Sequence, residues 1–480
     1  MAVGSMTHKT AALSRRRRLH QSSVASSMAA AFVPPAFLAL LTILALASIG
    51  VTVSPADASP ATASPANTQH GPPANVQEIN RDSETSVRVR VLGTQQPVTV
   101  TIEATGGDLR VHLPDGGAPI MRLRPGESAD VLLRKGEVAI RRDGDGIYAA
   151  SFDIQPDAGV SWKLTSGNTT RVYTGPLHVE PDGSSLQLVN HVPLDDYVAS
   201  VVASEYGFDD LEGSKAMAVV ARTYGMRAAG KFDSGDYDHV DNTVSQVYRG
   251  VRSITPVSRR ATTQTRGEVL TYDGALIEAV YFSSSGGHTA NNEDVWDASA
   301  ALPYLRGKRD PYDRASPHHR WTTSIDRGRL LSALSNEFGT RVTGFTLGQR
   351  SREGRIRDVR LLTPGGHITV QANEFRLAVI RRIPDAKLRS MWFDASRQGN
   401  RYRFSGRGFG HGVGLSQWGI HEMASRGKSY REMLRYYYTD VEIRDADGAV
   451  LPSTTPRPVA STPQEENVQR EDRNTRRIGW

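Results

Sequence analysis

Gly406-Arg407-Gly408-Phe409-Gly410-His411-Gly412-Val413-Gly414-Leu415-Ser416-Gln417-Trp418-Gly419 is the stretch on which the chain turns, with glycine at every second position from Gly406 to Gly414. Glycine offers a strand or helix no side chain to pack and loses more backbone freedom than any other residue, so the run is neither. It predicts backbone folded tightly against something that must come close. His411, Ser416 and Gln417 are then polar groups along its edge, and a helix begins just after it. Taken alone, the run is equally a glycine-rich turn between two elements. A phosphate-cradling loop is excluded, because no Gly-Lys-Ser/Thr closes the run. A nucleophile elbow is excluded too, since tryptophan stands two residues after Ser416, where a second glycine belongs.

Downstream, Ser416 to Ser425 reads as a helix stopping at Gly427. Ser429-Tyr430-Arg431-Glu432 is a capping box opening another helix, which ends in Tyr436-Tyr437-Tyr438. A polar, proline-bearing tail, 446–480, is expected to be disordered. Upstream, Asn373 to Arg382 is a short helix, and Ile356–Leu362 with His367–Gln371 a hairpin around Pro364-Gly365-Gly366. Residues 327–338 form an amphipathic helix, and Val269–Tyr272 and Ile277–Ser283 are strands. Leu211 to Ala229 is a helix ended by Gly230. Pro193 to Ser204 is another, with Tyr197, Val198, Val201 and Val202 on one side. Before it the pattern alternates, as in Val87-Arg88-Val89-Arg90-Val91 and Val98-Thr99-Val100-Thr101-Ile102, which predicts a small sandwich or barrel. The fold class is therefore α+β: residues 85–185 are mostly strands, with 85–169 set apart as a strand-rich accessory region, and from Pro193 helices and strands mix.

Residues 1–58 read as an export signal. Arg15 to Arg18 are its basic start, Ala36 to Val53 its apolar run, and Ala56-Asp57-Ala58 its small-residue cleavage site. The apolar run is also long enough for an uncleaved membrane anchor. Either way the bulk of the chain lies outside the cytoplasm. Residues 59–84, rich in Pro, Ala, Ser, Thr and Asn, are a disordered linker. The formal charge is +7, of which the leader holds +4 through Lys9 and the four arginines against Asp57. No basic stripe with interleaved aromatics follows, so nucleic-acid binding is not expected. Cysteine is absent, which excludes disulfides, thiolate metal sites and a cysteine nucleophile.

Ser204-Glu205-Tyr206 lies between the first two helices, beside Val201, Val202 and Phe208. Apolar surroundings raise a carboxyl's pKa by disfavouring its charged form, and a carboxyl kept protonated can act as a general acid. The plain alternative is a surface glutamate at a helix end. Ser283-Ser284-Ser285-Gly286-Gly287-His288 is a groove wall, a serine nucleophile beside His288, or a turn. Asp238-His239-Val240-Asp241 lacks a clear set of three or four metal ligands.

Three separated stretches together resemble the stage II sporulation protein D (SpoIID/LytB) family. The first is Leu188-Val189-Asn190-His191-Val192-Pro193-Leu194-Asp195-Asp196-Tyr197-Val198, with Ser204-Glu205 and Ala221-Arg222-Thr223-Tyr224 after it. The second is Gln246-Val247-Tyr248-Arg249-Gly250, with Phe282 to Thr289 and Val295-Trp296; the third is the glycine run with Leu415-Ser416-Gln417-Trp418-Gly419 and the three tyrosines. The resemblance covers about residues 170–445. It implies a peptidoglycan lytic transglycosylase that cuts between N-acetylmuramic acid and N-acetylglucosamine, with Glu205 as catalytic acid. It implies substrate-binding roles for Arg222, Tyr224, Gln246, Ser284, Ser285, His288, Gly410, His411, Ser416 and Gln417. Some relatives hold zinc through cysteines and a histidine just before Gln-Val-Tyr. This chain has no cysteine, so no metal and no cofactor are expected. Where relatives often have Ser-Glu-Met-Pro, this chain has Tyr206-Gly207 after Glu205.

One carboxylate suffices for such an enzyme, because the muramic acid's own C6 hydroxyl replaces the water or second carboxylate of other glycosidases. The expected partners are glycan strands and a cell-wall amidase, with membrane contact only through an uncleaved leader. The alternative is a non-catalytic wall-binding protein or modifier of that amidase. A third reading, a secreted serine hydrolase, would use Ser284, Ser285 or Ser416.

Overall fold

A computed structural model describes residues 86–227, 237–296 and 300–448. The expected leader, the linker and the tail beyond 448 lie outside these residues.

Twelve strands come first: β1 (Ser86–Arg90), β2 (Thr99–Ala104), β3 (Leu109–His112), β4 (Met121–Leu123), β5 (Ser128–Arg134), β6 (Glu137–Arg142), β7 (Asp145–Ala149), β8 (Phe152–Pro156), β9 (Ser161–Ser166), β10 (Thr169–Thr174), β11 (Leu177–Asp182) and β12 (Ser185–Pro193). They form two sheets, ordered β1-β12-β11-β8-β3-β4 and β10-β9-β2-β5-β6-β7. The alternation decides which residues go inside. Val87 and Val89 are buried while Arg88 and Arg90 between them are not, as a period of two requires. Val100, Ile102, Val131, Ile140 and Leu164 fill the space between the sheets, together with Trp162. The Trp162 indole N–H donates to the Gly175 carbonyl at 2.9 Å, so its one polar atom is satisfied.

The strand-rich unit continues to Pro193, so the start of the family resemblance at 170 falls inside it. β10 pairs with β9 from Thr169 to Thr174, so a cut there would split a hairpin. β12 runs directly into helix α1 (Leu194–Glu205), followed by α2 (Leu211–Arg227), both expected from their apolar faces. Tyr248 ties the sandwich to α1, with Tyr173 at 5.8 Å and Tyr197 at 5.6 Å between ring centres. Its hydroxyl donates to Asn190 Oδ1 at 2.9 Å. A two-residue strand, β13 (His239–Val240), joins the sandwich parallel to β1. α3 (Pro256–Gln264) was not read from the sequence, which offers it only a narrow apolar face. Its start is fixed by a capping box between Thr255 and Ser258, with Pro256 in the first turn.

The remaining elements are β14 (Glu268–Tyr272), β15 (Ala275–Leu276), β16 (Tyr281–Phe282), β17 (Trp321–Asp326), α4 (Arg327–Phe338), β18 (Gly344–Leu347), β19 (Asp358–Thr363), β20 (Gly366–Gln371), α5 (Ala372–Arg382), β21 (Phe393–Gln398), β22 (Arg401–Gly406), β23 (Leu415–Ser416), α6 (Gln417–Ser425), α7 (Tyr430–Tyr437) and β24 (Glu442–Asp445). The expected hairpin appears as β19 and β20, and both halves of the α7 capping box are present. The hairpin β21–β22 escaped notice because it is mostly polar, with Phe393 and Phe404 as its buried anchors. β24 pairs with β14, and the Ala446 N–H donates to the Gly267 carbonyl at 2.7 Å. Among the described residues no helix is long and apolar enough to cross a membrane.

Candidate functional site

The glycine run lies along the segment from Val280 to Gly286. β16 and β23 pair in parallel, Tyr281 with Leu415 and Phe282 with Ser416, and Ser284 bridges to Phe409. Gly408, Gly410, Gly412 and Gly414 all take positive φ, from +74° to +108°. A Cβ on Gly414 would fall 2.1 Å from the Val280 carbonyl oxygen, and one on Gly408 2.7 Å from that of Ser284. Two backbones therefore meet with no side-chain layer between them, which only glycine permits. α6 follows at once, capped by the Ser416 hydroxyl accepting from the Gly419 N–H.

Glu205 ends α1, where Tyr206 leaves helical geometry. Its Oε1 accepts the Val247 N–H at 2.9 Å. Its backbone carbonyl accepts from Gln417 Nε2 at 2.9 Å, which fastens the glycine segment's far end to this residue. Buried Gln246 accepts from the Tyr197 hydroxyl at 3.1 Å and donates to the Tyr281 hydroxyl at 3.3 Å. Tyr281 in turn lies close enough to the Glu205 carboxyl to act on its pKa. Desolvation pushes the Glu205 pKa above its ordinary value, while the Val247 N–H, the Tyr281 hydroxyl and Arg249 pull the other way. Among the described residues no carboxylate acts on it. The residue as a whole is not fully covered.

Beside Glu205 stands an aromatic group that the sequence reading did not assemble. Phe208 stacks on His421 at 4.0 Å and meets Trp418 edge-on at 4.9 Å. Asp210 holds His421 at 2.8 Å and accepts the Tyr206 hydroxyl at 2.8 Å. The signal was divided between two segments two hundred residues apart, and Phe208 alone read as an apolar neighbour. Tyr281 was missed for a similar reason: it stood in an apolar strand, with nothing to mark its hydroxyl.

The other expected contacts sort by position. Gln246 and Gln417 gather at Glu205, and Tyr224 lies close to Tyr197 and Tyr281. Arg222 is 1 % exposed and donates to the carbonyls of Thr262, Thr265 and Glu268, so it holds α2 on α3 instead of facing a ligand. Ser284 and Ser285 are buried as well. The Ser284 hydroxyl and the amides of Ser285 and Gly286 all donate to Asp313, which also holds His319 Nδ1. This arrangement shapes the loop and leaves neither serine exposed for nucleophilic attack. Ser416 is buried as the cap of α6. His411 engages the Tyr281 carbonyl through Nε2 and the Val413 N–H through Nδ1. Burial pushes its pKa down to about 4, so it is neutral near pH 7. Gly410 packs against Phe282, and His288 bonds the Thr289 carbonyl.

In the stretch just before Gln246 the acidic and histidine side chains are taken up by protein partners. Asp238 is paired with Arg88, Asp241 accepts the Leu92 N–H and Arg171, and His239 bonds the Gly225 carbonyl. Among the described residues no group of three or more His, Cys, Asp or Glu could hold a metal. Two cavities, of about 570 and 450 Å³, open near Arg407 and Gly286, at the other end of the glycine segment from Glu205.

Comparison with known proteins bears on both halves of this region. A family described as Stage II sporulation protein matches residues 182–272, which include α1, α2 and Val247. A domain of unknown function, DUF8618, matches 302–414. The chain is 31% identical over 315 residues to the Bacillus subtilis protein named Stage II sporulation protein D, covering 62% of this chain and 88% of that one. It is 28% identical over 364 residues to an uncharacterized protein of Brachyspira hyodysenteriae, covering 75% and 93%. It is 29% identical over 278 residues to a Bacillus subtilis protein named Amidase enhancer, covering 48% and 37%.

Proposed function

Because this chain belongs to the stage II sporulation protein D family, we propose that it cleaves peptidoglycan glycan strands as a lytic transglycosylase outside the cytoplasm, with Glu205 as its single acid and base. The observation that supports this reading is the state of Glu205: its carboxyl is desolvated and held by the Val247 N–H, the residue is not fully covered, and among the described residues no second carboxylate acts on it. Ordinary glycosidases need a carboxylate pair. A lone acid suits a reaction whose nucleophile is internal to the substrate.

Protonated Glu205 gives its proton to the oxygen joining C1 of N-acetylmuramic acid to the next sugar, and the C1–O bond breaks. The muramic C6 hydroxyl attacks C1, and its proton returns to the Glu205 carboxylate. A 1,6-anhydro ring forms, a free hydroxyl appears on the leaving sugar, and no water is consumed. Holding the C6 hydroxyl near C1 gives it a high effective concentration, worth about 7 kcal/mol or more in the best cases.

The test is Glu205→Gln with purified glycan strands, reading anhydro-muramyl products by mass spectrometry. General acid catalysis contributes about 10²- to 10⁴-fold, so product release falls at least about a hundredfold. Release at the wild-type rate would refute the assignment. The similarity to a protein named Amidase enhancer favours one second reading, a glycan binder that modifies a wall amidase. That reading expects binding to sacculi, no anhydro-sugar from the wild type, and a faster amidase when the two are mixed.

A further inference from the structure

The cavity of about 450 Å³ gathers Arg309, Arg314, Arg320 and Arg407 around one concave surface. Among the described residues none of these guanidinium groups is paired with a carboxylate, whereas nearby Arg306 and Arg329 hold Glu293 and Asp385. The acids beside the cavities do not neutralise them. Asp310 is buried and accepts the Tyr437 hydroxyl at 3.0 Å and the Tyr312 N–H at 3.1 Å. Asp394, in the adjoining cavity of about 570 Å³, pairs with Arg350 at 2.7 Å. Like charges around a hollow repel one another and add nothing to stability by themselves. A hollow with low-dielectric walls also focuses their field on whatever enters.

The two cavities share Arg320, Trp392 and Arg407, and the larger adds the apolar wall of Trp321 and Phe393. Arg407 lies 5.3 Å from the Trp392 ring centre and buried Arg355 lies 5.2 Å from it. Arg355 donates to the carbonyls of Ser285 and His288 at 2.9 and 2.8 Å, which ties this wall to the glycine segment. A guanidinium fork matches a carboxylate in two parallel hydrogen bonds. A bare phosphate has no use for the partly exposed Trp392 indole, whereas the C–H face of a pyranose can lie against it.

We propose that the paired cavities bind a carboxylate-bearing sugar, with Arg314, Arg320 and Arg407 holding the carboxylate and Trp392 lying beside the ring. Most of the site falls in the stretch matched by the domain of unknown function. Gly286 on its rim is five residues from Tyr281, at most about 18 Å of extended chain, so both sites lie within reach of one glycan. The choice of sugar rests on the wall-glycan reading: N-acetylmuramic acid with its carboxyl free is the wall sugar of this class.

The experiment uses the full chain carrying Glu205→Gln, so that cleavage cannot intervene, and titrates it calorimetrically with N-acetylmuramic acid and with N-acetylglucosamine. The acidic sugar should bind about tenfold more tightly or better. Adding Arg314→Gln and Arg320→Gln should abolish that preference and leave the melting temperature in place, since both side chains are exposed. Equal binding of the two sugars, or an unchanged preference in the arginine variant, overturns the proposal. So does displacement by inorganic phosphate, or by an Asp-Glu dipeptide, at the same concentration as the sugar. Failure of the Glu205 assignment would show separately, as anhydro products released by Glu205→Gln, and would leave these titrations unaffected.

Discussion

In the sandwich, Val100, Ile102, Val131 and Ile140 put a layer of side chains between two sheets. Along the glycine segment the reverse holds: Gly414 lies against the Val280 carbonyl and Gly408 against that of Ser284. A core of interlocking side chains can lose a methylene and settle. A contact between bare backbones cannot gain a methyl group without one strand moving. The difference bears on function because the segment's far end, through Gln417, fixes the backbone of Glu205. The sandwich can drift in sequence, while the segment at the acid has almost no room to change.

The largest effect should come from adding one carbon to the bare contact. Gly414→Ala places a Cβ 2.1 Å from an oxygen at a φ of +79°, a combined clash and strain of about 4 kcal/mol. Gly427→Ala is the control: φ is +73° but open space surrounds it, so the loss is about 1 kcal/mol of strain alone. Denaturant unfolding of both variants measures the gap, and equal losses would break the contrast. Next is Asp313→Asn, which puts an amide where four donors converge on a buried carboxylate. About 3 kcal/mol should be lost. In the sandwich, Ile102→Val should cost about 1 kcal/mol, because the side-chain layer relaxes around the missing methylene.

Much of this could be read from the chain. Alternating valines placed β1 and β2, apolar faces placed α1, α2 and α4, and Ser429 with Glu432 placed α7. The glycine run announced a close approach, because nothing else explains glycine at every second position. What it approached was not legible: Val280 to Gly286 lies about 130 residues away, and backbone contact leaves no mark on the partner's side chains. For the same reason Ser284 and Ser285 looked like groove residues, since a hydroxyl spent on a distant Asp313 reads like a free one. The arginine-lined cavities stayed hidden because Arg309, Arg314, Arg320 and Arg407 come from separate loops and meet only when the chain folds.

The last difference between the two regions is one of sign. Desolvation raises the Glu205 pKa above its usual 4.5, so the folded protein keeps a proton that the unfolded chain releases. Stability then falls as pH rises from the unfolded value to the folded one, and is level outside that interval. In the sandwich, Glu127 is shifted the other way, first by the Arg124 N–H and then by the Arg142 side chain. Its contribution is present above the unfolded value and is lost as pH falls through the folded one. Denaturant unfolding between about pH 3 and pH 8 separates the two. Wild type should lose ground to Glu205→Gln as pH climbs past 4.5, whereas it should gain ground on Glu127→Gln as pH climbs towards 4.5 and run level with it above. Glu127 lies at the surface in an ion pair open to solvent, so its slope should be shallow and should fade in salt, whereas that of Glu205 should persist. If Glu205→Gln instead runs parallel to wild type at every pH, the carboxyl is solvated like any surface glutamate. The contrast with the sandwich would then fail where the proposed chemistry needs it.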